Sequence, residues 1–142
     1  APACLTTAPV YNLMGQSIEL ALKSYVRQQG GDLTQLLNLR HDLVNALITA
    51  QTLGLVHSIN RDELVVLNRE YSTHRFRYIK TGAVQLLEAD ALFCLGAAVL
   101  EPCMTAIPDA WKFLWQPEGK LVVDRGWLSA MHIKQNCVKA SP

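Results

Sequence analysis

The sequence predicts a single all-α domain, a bundle of four or five helices with a tryptophan-rich C-terminal tail. Three observations carry this prediction. Apolar residues recur at helical spacing over a long stretch after Pro9, and further such stretches follow with short polar or glycine-containing links. Hydrophobic residues make up 50% of the chain and charged residues 18%, a core-rich balance that excludes disorder. A length of 142 residues fits one domain and suffices to bury roughly 70% of the unfolded surface without staples. The bundle is expected over about residues 10–103, with residues 104–142 as an extension packing on it.

The first helix is predicted from Val10 to Gln29, after a small, polar, proline-containing lead-in. Val10, Leu13, Met14, Ile18, Ala21, Leu22, Tyr25 and Val26 follow the i, i+3, i+4, i+7 rule, while Asn12, Gln16, Glu19, Lys23 and Arg27 fall off that stripe. Glu19 precedes Lys23 by four residues, the favourable order for a helix ion pair. Gly30 and Gly31 end the segment. Leu33, Leu36 and Leu37 open a second periodic stretch, continued by Leu43, Val44, Leu47 and Ile48 and closed by Gly54. The polar cluster Asn38–Asp42 can split it, leaving a turn and then a helix from about His41.

Asn60 and Glu63 have the spacing of a capping box, and Leu64, Leu67, Asn68 and Tyr71 supply the stripe of the helix it starts. Charges and aromatics break the pattern over Ser72–Gly82, which reads as loop. A last bundle helix is predicted over Ala83–Leu100, with Ala83, Leu86, Leu87, Ala91, Cys94 and Ala98 inward and Pro102 and Pro108 bounding its end. In the tail, Pro108 and Asp109 can start a short helix carrying Trp111 and Trp115. Gln116–Gly119 reads as a turn and Leu121–Val123 as a short strand.

Composition narrows the function classes. With 13 Lys+Arg against 12 Asp+Glu, there is no global field for nucleic acid or anionic membrane, so any such affinity must be local. Cys4, Cys94, Cys103 and Cys137 form no C-x-x-C pair and no histidine stands at ligand spacing from a cysteine pair, so no metal is expected. Cys94, inside an apolar run, is expected as a buried inert thiol, although the even count leaves a disulfide open. The uncharged apolar run Ala91–Leu100 is shorter than the roughly 20 residues of a membrane span. No charged-then-apolar leader opens the chain, and a soluble cytoplasmic protein is expected. The G-x-x-x-x-G-K-[ST], H-E-x-x-H and G-x-S-x-G patterns do not occur, and no cofactor is expected.

Four elements stand in order along the chain. They are the helix Gln16-Ser17-Ile18-Glu19-Leu20-Ala21-Leu22-Lys23-Ser24-Tyr25, the His41-Asp42-Leu43 opening of another, the segment from Tyr71 to Arg77-Tyr78, and a final helix rich in small residues. Together they resemble the HEPN family of helical domains, over roughly Val10 to Leu100. The tail from about Cys103 has no counterpart in the resemblance. It implies a four- or five-helix bundle that pairs as a homodimer through helix faces. Several HEPN branches are metal-independent ribonucleases that use an Arg and a His four to six residues apart at the dimer cleft. Others bind nucleotides or partner a separate nucleotidyltransferase chain in toxin–antitoxin pairs.

Arg69 and His74, with four residues between them, match the ribonuclease spacing. The imidazole would take the proton of a ribose 2′-hydroxyl and the guanidinium would stabilise charge on the phosphoryl oxygens. The residue after Arg69 is Glu70, where active branches carry a small polar residue. His41 is either a ligand-binding group or base beside Asp42, or one of the two simply caps the helix that Leu43 enters. Arg69, Arg75, Arg77 and Lys80 stand against the single acid Glu70, with Tyr71, Phe76 and Tyr78 interleaved. Such a run can hold phosphates while aromatic faces stack on bases, or its aromatics pack inward and its cations stay solvated. The residues expected to touch nucleotide or RNA are therefore Arg75, Arg77, Tyr78 and His41. Trp111, Trp115 and Trp127 either meet a partner or cover the bundle. Three functions stay open: a nucleotide- or RNA-binding module, a metal-independent ribonuclease, and a protein-interaction domain.

Overall fold

The computed structural model describes residues 8–76 and 85–107. Among the described residues every regular element is a helix: α1 (Ala8–Gln28), α2 (Leu33–Leu39), α3 (Leu43–Thr52), α4 (Arg61–Ser72) and α5 (Ala89–Ala106). Arg77, Tyr78 and Lys80 lie outside the described residues, as do the three tryptophans and the predicted strand Leu121–Val123.

α1 organises the bundle, packing most extensively on α5 and α3 and also touching α2 and α4. It runs nearly as its periodicity predicts, but its buried face is rotated. Tyr11, Gly15, Ile18, Glu19, Leu22, Tyr25 and Val26 are inside, whereas Val10 and Leu13 are 41% and 60% exposed. The stripe must serve partners on two sides, which centres it on Ile18 and Leu22 and brings Glu19 in with them. Gly30, at φ 95, lets the chain turn out of the helix where a side chain would be strained.

α2 is a two-turn link more than a bundle helix. Asp32 Oδ1 accepts the Gln35 amide at its start, and Leu39 alone is buried. Leu33 and Leu37, expected in the stripe, are 68% and 66% exposed, because so short a helix offers the core only its last turn. The chain then reverses through Arg40 at φ 47. Asp42, not His41, caps α3: its Oδ1 accepts from the amides of Val44 at 3.1 Å and Asn45 at 3.0 Å. Asn60 caps α4 through the amides of Asp62 and Glu63.

The last helix departs most from expectation. Residues 85–88 are not helical, and α5 runs from Ala89 to Ala106 with Pro102 inside it, past the expected bundle boundary at residue 103. A proline removes one ladder bond, yet Val99 and Cys103 stay buried on either side of it, so the apolar face continues through the break. The fully buried residues are Leu92, Leu95, Gly96, Val99 and Cys103; of the expected inward set, Leu86, Leu87 and Ala98 pack on the core partly buried. α5 is also long and apolar enough, by length and composition alone, to cross a membrane, a test that core helices of soluble proteins also pass. Cys94 is disulfide-bonded, so the inert-thiol expectation does not hold. Among the described residues the free thiol is Cys103, which is buried, and burial pushes its pKa up to about 11.

Candidate functional site

The chemistry-bearing residues meet around a carboxylate that the periodicity had placed at the surface. Glu19 is 8% exposed. Its Oε1 accepts from Lys23 Nζ at 2.6 Å, and its Oε2 accepts from Tyr71 Oη at 2.6 Å and faces His41 Nδ1 at 3.0 Å. A carboxylate only accepts, so His41 Nδ1 carries the proton, which in the neutral ring leaves the lone pair on Nε2. Burial pushes the Glu19 carboxyl up, but the hydrogen bonds from Lys23, Tyr71 and His41 and the Lys23 charge outweigh it. The net displacement is below the usual glutamate value.

Local folding explains why these groups converge. Gly15 sits one turn before Glu19 on α1 and lies directly against the Tyr71 ring, so only a residue without Cβ lets α4 come this close. His41 occupies the α2–α3 joint, fixed from two sides. The Arg40 carbonyl before it accepts from Lys23 Nζ. Asp42 after it accepts from Asn68 Nδ2 at 3.2 Å, and Asn68 Oδ1 takes the Leu43 amide at 2.8 Å, tying the start of α3 to α4.

His74 arrives from the end of α4. Its backbone is left-handed, at φ 58, a conformation in which His is enriched among non-glycine residues. Its ring meets that of His41 edge to face, with centroids 4.8 Å apart and planes at 74°. The His41 ring also stands edge-on to Tyr71, 6.2 Å away. Arg40 and His74 are the non-glycine residues with positive φ among those described, and they flank or form this pair. Backbone strain of that kind, at about 1–3 kcal/mol per residue, persists where surrounding structure enforces it and clusters at functional sites.

The remaining predicted site residues fall as follows. Arg75 is half-buried, with Nε 3.5 Å from Glu70 Oε2. Glu70 is itself 5% exposed, so its carboxylate does not stand at the surface beside Arg69. Arg69 is exposed, and its Nη1 donates to Gln85 Oε1 at 3.4 Å. The partner brought to His74 is thus His41, while Arg69 reaches Gln85. Arg77 and Tyr78 lie outside the described residues. Glu19, Lys23 and Tyr71 were not singled out as site residues from sequence. The available signal for Glu19 was its spacing of four from Gly15 and three from Leu22.

Two surface depressions lie elsewhere. One runs between α2 and α3 past Gln35, Asn38 and Asn45, and the other between the loop at Leu55–Ser58 and the end of α5. Neither touches Glu19, His41 or His74, although the second is lined by Tyr25, His57 and Glu101. His41, with its side chain 40% exposed over a buried carboxylate, is the better candidate. Among the described residues no cluster of three or more His, Cys, Asp or Glu could hold a metal ion. Neither protein-family models, nor curated proteins, nor solved structures yield a match to this chain.

Proposed function

We propose that this chain binds a phosphate-bearing ligand, a nucleotide or RNA, on the face where His41 and His74 meet. The observation that carries the reading is the joining of these two imidazoles from separate elements, at 4.8 Å, over the buried Glu19. Outward-facing imidazole nitrogens can donate to phosphate oxygens when protonated. Arg75 lies next to His74, and the sequence continues into Arg77, Tyr78 and Lys80, which would lengthen the basic and aromatic track. A HEPN-like bundle acting as a homodimer, with or without a nucleotidyltransferase partner chain, is the setting this reading assumes.

The test is fluorescence anisotropy with a labelled nucleoside triphosphate and a labelled oligoribonucleotide. Binding is expected at low salt and should weaken as salt rises. His74→Asn, which suits the left-handed backbone, and His41→Gln, which retains a donor for Glu19, should each weaken it by about tenfold. Unchanged affinity in both variants, with helicity intact by circular dichroism, would overturn the reading.

One observation also favours the second function. His74 stands beside another imidazole whose far nitrogen is backed by a carboxylate, an arrangement suited to moving protons during metal-independent RNA cleavage. Under this reading, RNA incubated with the protein in EDTA is cleaved and His74→Asn stops the reaction. Intact RNA after such incubation, with binding retained, would leave a binding module.

A further inference from the structure

We propose that His41 and His74 form a two-histidine site for a divalent transition-metal ion of the zinc class, with Glu19 orienting His41 from behind. The inference is independent of phosphate binding. It rests on three features of the pair.

The first is orientation. Metal-ligating histidines commonly donate their other ring N–H to a carboxylate, which sets the tautomer and raises the basicity of the ligating nitrogen. His41 is held in that manner: Nδ1 faces Glu19 Oε2 at 3.0 Å, and Glu19 is fixed in turn by Tyr71 and Lys23. In the neutral ring Nε2 is then the nitrogen that carries the lone pair. Imidazole suits zinc, copper and nickel better than it suits magnesium or calcium.

The second is separation. A zinc–nitrogen bond of about 2.0–2.1 Å, extended by the ring radius, puts the metal roughly 3.2 Å from each imidazole centroid. Two such arms at angles between square and tetrahedral span roughly 4.5–5.2 Å. The observed centroid distance of 4.8 Å falls inside that range, so the ring spacing is compatible with a shared ion.

The third is charge. Two cations close to the pair in the fold or the chain are matched, Lys23 by Glu19 at 2.6 Å and Arg75 by Glu70 at 3.5 Å. A divalent ion at the pair would therefore not face the unmatched charge of either Lys23 or Arg75. With only two protein donors, its other positions are filled by water, leaving a labile, open coordination sphere rather than a closed structural site.

The experiment is calorimetric titration of the full chain with ZnCl2, paralleled by Co2+ titration followed by d–d absorption. One ion per chain is expected, removable by EDTA. His41→Gln and His74→Asn should each abolish measurable binding. Glu19→Gln should weaken it by about 10–100-fold while both ligands remain. His57→Ala, in the other depression, should leave it unchanged. Absence of binding in the wild-type chain overturns the proposal. So does an affinity that survives both histidine substitutions in folded protein, because the ion then sits elsewhere.

Discussion

Replacing Glu19 by Ala is expected to destabilise the chain by about 3 kcal/mol, read as a lowered urea midpoint at neutral pH. Several losses add up at one atom pair. The Tyr71 hydroxyl, on a ring that is 3% exposed, loses its bond to the Glu19 carboxylate, which costs about 1–3 kcal/mol. Lys23 loses the i, i+4 partner 2.6 Å away, but that contribution is small, about 0.5 kcal/mol, since the lysine still reaches solvent. The remainder is the space left by the side chain between α1 and α4. Glu19→Gln keeps the volume but offers one acceptor oxygen to three donors, and should cost about 1–2 kcal/mol.

The same carboxylate gives the acid limb of stability a defined sign. Its folded-state pKa lies below the ordinary glutamate value, so at low pH the unfolded chain binds the proton first. The stabilisation is therefore complete above roughly pH 4.3, the unfolded value, and is lost as pH falls through the folded value. In a series of urea melts from about pH 7 to about pH 3, the difference between wild type and Glu19→Gln should shrink on acidification. A difference that stays constant, or grows, would show that Glu19 is not ionised against Lys23, Tyr71 and His41.

How much of this was legible beforehand can be judged residue by residue. Periodicity sufficed for α1, and the caps Asp42 and Asn60 could be read because an N-cap depends on a side chain and the next three amides. The register of α5 could not. The run from Ala91 to Leu100 has no polar side chain, so only packing against α1 selects Leu92, Leu95 and Val99. Pro102 reads as a stop, although α5 tolerates it. Glu19 was misplaced for a simpler reason: a charged residue is assigned to solvent unless its partners are known. Those partners return from 22 and 52 residues downstream, a distance that no local pattern reports. The meeting of His41 and His74 likewise depends on two turns with positive φ at Arg40 and His74, neither of which carries glycine as a signal.

The contact that permits all of this is the approach of α4 to Gly15, and Gly15→Ala is expected to be costly out of proportion to one methyl group. A Cβ built there would lie 2.6 Å from Tyr71 Cε2 and 2.8 Å from Cγ. These are ring atoms of a buried side chain whose hydroxyl is anchored on Glu19, so the ring can yield only by giving up that bond or by separating the helices. Overpacking typically costs about 1–3 kcal/mol, and the lost hydrogen bond adds about 1 kcal/mol. Alanine's better helix propensity returns about 1 kcal/mol, leaving a net loss of about 1–3 kcal/mol. Gly96→Ala is the instructive comparison, since its Cβ would meet the Met14 thioether, the far end of a flexible, half-buried chain that can move aside. Thermal melts should therefore show a large drop for Gly15→Ala and a small change of either sign for Gly96→Ala. Displacing Tyr71 also frees one acceptor site on Glu19 and loosens His41. Gly15→Ala should thus weaken ligand binding at the imidazole pair even at temperatures where it remains folded. Equal effects of the two substitutions on melting and on binding would mean that the Gly15–Tyr71 contact does not set the geometry of the site.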